Sequence, residues 1–281
     1  MTVDQNRRPI GQRSRFYATY LTRVLAKSGV TPNFISFTSV IFAALAGACF
    51  YASGITQSGG DRIMLLLGGA LFCQLRLLAN MLDGMVAVEA GKGSPDGPIW
   101  NELPDRFADI FILVGAGYGV AATGMFDATL GWAAAVFAVM TAYVREVGKA
   151  AGAPADFSGP MAKPHRMFWI TMAALISVFD PQIGPAVARV LDWAQFNAAG
   201  KGVFIAFALW LILFGSIATT FSRAARRWKF CAGARSCPLA STMSAKPSTI
   251  SSRRCPPATR TRTLPARGTM LGAKAVTGSV S

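Results

Sequence analysis

Polar residues stand in this chain where apolar ones are expected. Asn80-Met-Leu-Asp83-Gly84-Met-Val-Ala87 closes one long apolar stretch, and Asn101-Glu102-Leu-Pro104-Asp105-Arg106-Phe-Ala-Asp109 opens the next. Asn80 and Asp83 are three apart and share a helical face; Asn101, Asp105 and Asp109, four apart, share another. Ionisable groups at membrane depth are costly, so they point to function. Oxygen donors without histidine or cysteine suit Mg²⁺ or Mn²⁺, above all where substrate phosphates complete the coordination. Gly84 and Ala87 add almost no bulk, which lets a large ligand approach the backbone. The glycine-rich stretch GKGSPDGPIW joins the two segments. Two antiparallel helices so joined would bring both polar faces together.

The elements that must position these groups are membrane helices. Hydrophobic residues make up 52% of the chain, its mean hydropathy is +0.40, and the apolar residues fall in long blocks. The spans are expected near 34–53, 63–90, 104–123, 130–151, 166–179 and 203–222, the first preceded by the helix-start signal Thr31-Pro32-Asn33. The expected class is an all-α integral membrane protein of about six transmembrane helices. An amphipathic juxtamembrane helix over residues 10–28 lies in the headgroup plane, with a solvated basic arm as the alternative. The segment 181–200 has mixed polarity and a tryptophan, and is placed along the outer interface. The domain reading is a cytosolic arm with the interfacial helix over 1–29, a membrane domain over 30–229, and a basic Ser/Pro/Arg-rich disordered tail over 230–281. An out-of-frame end is the other reading of that tail.

The net charge of +15 does not make this a nucleic-acid-binding protein. Residues 230–281 hold eight Lys/Arg and no Asp/Glu, and much of the remaining excess flanks apolar blocks. Such flanks set topology and contact anionic lipid, and no groove-reading motif is present. The charge-rich face carries both termini and is read as cytosolic. The five cysteines show no paired spacing, so neither a disulfide framework nor a zinc site is expected. The N-terminus has no apolar core of the kind a cleaved signal peptide needs.

The chain resembles the CDP-alcohol phosphatidyltransferase family, whose motif is D-x2-D-G-x2-A-R-x8-G-x3-D-x3-D. Asp83, Gly84, Ala87, Gly97 and Asp105 match it, every interval is kept, and Asn80, Val88 and Asn101 depart from it. Thr31-Pro32-Asn33-Phe34-Ile35-Ser36 is similar to the family's lead-in to its first span. The resemblance covers roughly residues 10–229. It implies transfer of a phosphatidyl group from a CDP-linked lipid such as CDP-diacylglycerol to an alcohol, with release of CMP. It also implies that Asp83, with Asn80 and Asn101 in aspartate positions, holds Mg²⁺ or Mn²⁺, that Asp105 is the general base, and that Gly84, Ala87 and Gly97 line the nucleotide pocket. A bacterial inner (plasma) membrane, a cytosolic active site and pairing into a homodimer follow from the same resemblance.

The departures leave alternatives open. An asparagine carbonyl can ligate a hard cation but brings no charge. Either one metal suffices, or Glu102 or Asp109 replaces a missing carboxylate, or catalysis is lost. Arg76 is a counter-charge for phosphate or an ion-pair partner of a buried acid; Lys92 is placed near the headgroups. A second basic cluster, Arg145, Lys149, Lys163, His165 and Arg166, reads as a pocket for an anionic acceptor, with Arg145, Lys163 and Arg166 as its contacts, or as topology signal. A catalytically impaired lipid-binding relative and an ion-coupled transporter are the competing functions.

Overall fold

The computed structural model describes residues 16–89, 97–193 and 201–235. All belong to the first of two units, Met1–Ser236; the second, Cys237–Ser281, lies outside the described residues. So do the sequence readings on residues 1–15, Lys92 and the tail beyond Arg235. Eight α-helices account for the regular structure among the described residues: α1 (Phe16–Lys27), α2 (Pro32–Ile55), α3 (Gly59–Glu89), α4 (Gly97–Ala122), α5 (Thr129–Ala150), α6 (Lys163–Ser177), α7 (Asp180–Trp193) and α8 (Val203–Arg235).

Four helices are long and apolar enough to cross a membrane: Pro32–Ile55, Gly59–Val88, Thr129–Ala150 and Val203–Ala232. α4 and α6 complete the bundle without meeting that measure. α4 carries the polar groups of the site in its first half, and α6 has only 15 residues. The chain is an integral membrane protein. Large apolar side chains such as Ile41, Leu45, Leu71, Phe207, Phe214 and Phe221 face outward, as lipid contact requires.

Local signals explain several boundaries. The Thr31 hydroxyl accepts a hydrogen bond from the Phe34 amide, and Pro32 occupies the first turn of α2. α4 begins at Gly97, ahead of the span expected near 104–123, so Pro104 is an interior residue of the helix. It deprives the Trp100 carbonyl of its helical partner, beside the functional groups. The segment after α6 is the amphipathic α7, and α8 continues past the expected end of the last span.

Within a membrane, helices associate through close packing more than through burial from water. Here α2 packs against both α3 and α4, α5 against α4 and α8, and α6 against α3 and α8. The closest approach uses glycine. A Cβ added at Gly115 would lie 2.4 Å from the Gly47 carbonyl oxygen, and one at Gly54 would lie 2.1 Å from that of Gly119. Gly117 meets Gly131 of α5 in the same way, at 2.6 Å from its Cα. α4 is thus locked between α2 and α5, which fixes the depth at which Asp105 and Asp109 sit. Buried Ala43, Ala46, Ala116, Ala134, Ala135 and Ala138 continue the small-residue packing around it.

Candidate active site

The polar faces of α3 and α4 meet largely through one long side chain. Arg76 is fully buried, and its Nη2 reaches Asp105 Oδ1 at 3.4 Å and Asp109 Oδ1 at 3.3 Å. Of its two sequence readings, this is the ion-pair partner of buried acids. Asp109, itself 0% exposed, gives its other oxygen to Arg166 Nη2 of α6 at 2.6 Å. Both Asp109 oxygens are therefore engaged by guanidinium groups. Arg166 is 1% exposed and also donates to the Met161 carbonyl at 3.1 Å and the Thr141 hydroxyl at 3.4 Å. It is a buried brace of three elements.

The carboxylates nearer the surface differ. Asp83 accepts from the Ser36 hydroxyl at 2.6 Å and from the Gly84 amide at 2.5 Å. Ser36 is buried in the first turns of α2, so the lead-in segment of the first helix aims a carboxylate of the second. Asp105 Oδ1 accepts from Lys163 Nζ at 2.5 Å, and the same ammonium donates to Asn80 Oδ1. One cation thus ties oxygens of α3 and α4 to the first residue of α6. Gly84 and Ala87 are half-buried along the same stretch of α3, as is Gly97 at the start of α4. Asn101 falls on α4 one turn before Asp105, and its side chain lies outside the described ones.

A rim of ion pairs surrounds this centre. Glu102 accepts from Arg106 at 3.0 Å and from Arg145 of α5 at 2.5 Å. It bridges two cations, one on its own helix and one on α5. Arg145 also meets Glu146 at 2.8 Å and lies 5.3 Å from the Phe157 ring centroid. Lys149 pairs with Glu146 at 2.9 Å. His165 is exposed, with Nδ1 3.0 Å from the Pro160 carbonyl, a local loop contact.

Sequence reasoning missed Ser36 as the partner of Asp83, and it missed the arginines of α8. Arg223 donates to the Thr141 carbonyl at 2.7 Å and the Ser158 carbonyl at 2.9 Å, and Arg226 pairs with Asp156 at 2.9 Å. Arg227 has Nε and Nη2 buried without a hydrogen-bond partner. The run Arg223-Ala-Ala-Arg226-Arg227 was the available signal, since its spacing returns to one helical face. Because Arg166 and Arg223 both bond Thr141, one turn before Arg145, the second basic cluster gathers residues of α5, α6 and α8.

No family model matches the chain. Curated proteins do. The archaetidylinositol phosphate synthase of Pyrococcus horikoshii is 26% identical over 174 residues, 62% of this chain and 84% of that protein. The phosphatidylinositol phosphate synthase of Mycobacteroides abscessus is 26% identical over 161 residues, covering 56% of this chain and 67% of its own length. That of Mycolicibacterium smegmatis is 24% identical over 211 residues, or 72% and 82%. Among solved structures, the fold is shared with the Mycobacterium tuberculosis phosphatidylinositol phosphate synthase. Its complex with manganese and citrate gives a TM-score of 0.58 at 20% identity, covering 75% of this chain and 88% of that one. Its CDP-DAG-bound form gives 0.57 at 20% identity, covering 75% and 93%.

Proposed function

We propose that this chain, which belongs with the CDP-alcohol phosphatidyltransferases and is an enzyme of that class, transfers a phosphatidyl group from CDP-diacylglycerol to a phosphorylated polyol, inositol phosphate, and releases CMP. The observation that carries the reading is the convergence of Asn80, Asp105 and Lys163 on one point, at the cluster where the spaced motif lies. Sequence kinship supports the phosphatidyl donor, and the names of the relatives support the acceptor.

The residues present offer oxygen donors to a hard divalent cation, although among the described residues no three His, Cys, Asp or Glu side chains gather at one point. Asn80 and Asp105 already direct oxygens from two helices onto a single cationic group, and Asp83 lies one helical turn from Asn80 on the same face. Mg²⁺ or Mn²⁺ would be held by Asp83 and Asp105, with Asn80 and Asn101 as neutral donors. When bound, it neutralises the diphosphate and draws charge from the departing CMP oxygen. Ser36 holds Asp83 in orientation. Asp105, held by Arg76, takes the proton of the attacking hydroxyl. Gly84, Ala87 and Gly97 leave room for the nucleotide. Arg145 and Lys163 receive the anionic part of the acceptor, and Arg166 braces the pocket from beneath. The site then opens to the cytosol with both termini on that side, and two chains pair as a homodimer.

The test is CMP release. The purified protein is given CDP-diacylglycerol, Mg²⁺ or Mn²⁺, and in turn inositol phosphate, glycerol phosphate, serine and unphosphorylated inositol. Metal-dependent CMP release, fastest with inositol phosphate, is expected. Release with no acceptor of the panel sinks the enzyme, and a preference for an unphosphorylated acceptor sinks the acceptor assignment.

A further inference from the structure

The inner cluster is electrically complete by itself. Three carboxylates, Asp83, Asp105 and Asp109, are matched by three cations, Arg76, Lys163 and Arg166. Two positions that carry aspartate in the resembled motif, Asn80 and Asn101, add no charge. The surrounding rim leans positive, with Arg106, Arg145 and Lys149 against Glu102 and Glu146. Arg226 and Asp156 cancel, and Arg223 and Arg227 add further positive charge on α8. A bare divalent ion brought into this buried setting would leave two positive charges uncompensated, which a low-dielectric interior penalises heavily.

We propose that the site keeps no standing divalent ion. The Lys163 ammonium occupies the cation position between Asn80 and Asp105, and a divalent ion enters only together with a nucleoside diphosphate, displacing that ammonium. A nucleoside diphosphate carries about three negative charges near neutral pH and its lipid diester two, so the metal and the nucleotide offset one another as a pair and neither is offset alone. Asn80 serves both states, since a carbonyl oxygen accepts from an ammonium and ligates a hard cation equally well. Lys163 is in this account a positioning residue that sets the order of binding. The inference rests on the metal reading of the preceding subsection.

The experiment follows the electron paramagnetic resonance signal of free Mn²⁺ as it is titrated with the full-length protein in detergent, with and without CDP. CDP binding is measured separately by calorimetry. The wild-type protein is expected to bind Mn²⁺ weakly alone and at least about tenfold more tightly with CDP. Lys163→Met should bind Mn²⁺ without nucleotide at least about tenfold more tightly than wild type, because it leaves a net negative cluster. Lys163→Gln repeats that test should the methionine variant misfold. Equal Mn²⁺ affinity with and without CDP overturns the proposal, as does unchanged nucleotide-free affinity in both variants. CDP binding with no Mn²⁺ bound under any condition overturns the metal reading itself, and this inference with it.

Discussion

The bundle carries a buried ion pair at each end, and the two are built differently. At the end remote from the site, Arg62 donates to Asp180 at 2.6 Å and to the Ser53 carbonyl at 3.0 Å, while the Gly202 amide donates to Asp180 at 3.1 Å. One cation meets one anion, and together they tie the end of α2 and the start of α3 to the starts of α7 and α8. At the site end, three cations and two of the three carboxylates share partners: Arg76 bridges Asp105 and Asp109, Lys163 bridges Asp105 and the Asn80 amide, and Asp83 is held by Ser36 and Gly84. The remote pair has no spare partner and only fastens helices. The site cluster has alternatives within reach, so a ligand can exchange with one of its members without leaving a charge stranded. Burial of charge alone therefore does not mark function here; surplus of interchangeable partners does.

The largest effect that sharpens this contrast is on turnover. Asp105→Asn keeps the shape of the side chain and removes the proposed proton acceptor, so CMP release should fall by about 10²–10⁴-fold even when normalised to folded protein. Arg62→Met should do the reverse. It leaves Asp180 buried without its cation, at a cost of about 3–5 kcal/mol in stability, and the protein that remains folded should keep its turnover number. Thermal melts read beside single-temperature rates separate the two.

Gly115→Leu attacks the frame common to both ends. The new side chain would collide with the backbone of Gly47, where even a Cβ would come within 2.6 Å of three atoms. α2 and α4 must then separate, and stability and turnover should fall together, by more than the roughly 1–3 kcal/mol of ordinary overpacking. Ser36→Ala is milder: Asp83 loses one charged hydrogen bond, and turnover should drop about tenfold at unchanged fold.

The smallest effect concerns the connection between α5 and α6. Burial raises the Asp156 carboxyl pKa, but bonds from Ser158 and the nearby Arg226 outweigh it and hold the group near about 2. The folded pKa lies below the ordinary value, so this contribution is present above about pH 4 and is lost as the pH falls toward about 2. Asp156→Asn should remove that acid-limb difference in melting temperature and leave the rate at neutral pH unchanged.

Much of the fold was legible because its signals are local. Thr31-Pro32 starts α2 as read, and each expected span holds a helix. α4 begins at Gly97, before Pro104, because the helix absorbs that proline at the expense of one carbonyl partner. The face shared by Asn80 and Asp83 was readable from their spacing. What they touch was not: Ser36 lies 47 residues from Asp83, and Lys163 lies 83 from Asn80 and 58 from Asp105. Such partners depend on which helices become neighbours, and no periodicity carries that. Asp109 and Glu102 show the same limit, since their positions suggested metal ligands while the arginines that engage them come partly from α3, α5 and α6.

The most direct test compares CMP release from CDP-diacylglycerol, with inositol phosphate and Mg²⁺, in the wild type, Arg62→Met and Asp105→Asn, each normalised to folded protein. Turnover by the first two and its loss in the third is the expected result. Wild-type turnover by Asp105→Asn, or none by the wild type, would contradict the assignment of the Asp83–Asp105 cluster as a phosphatidyl-transfer site.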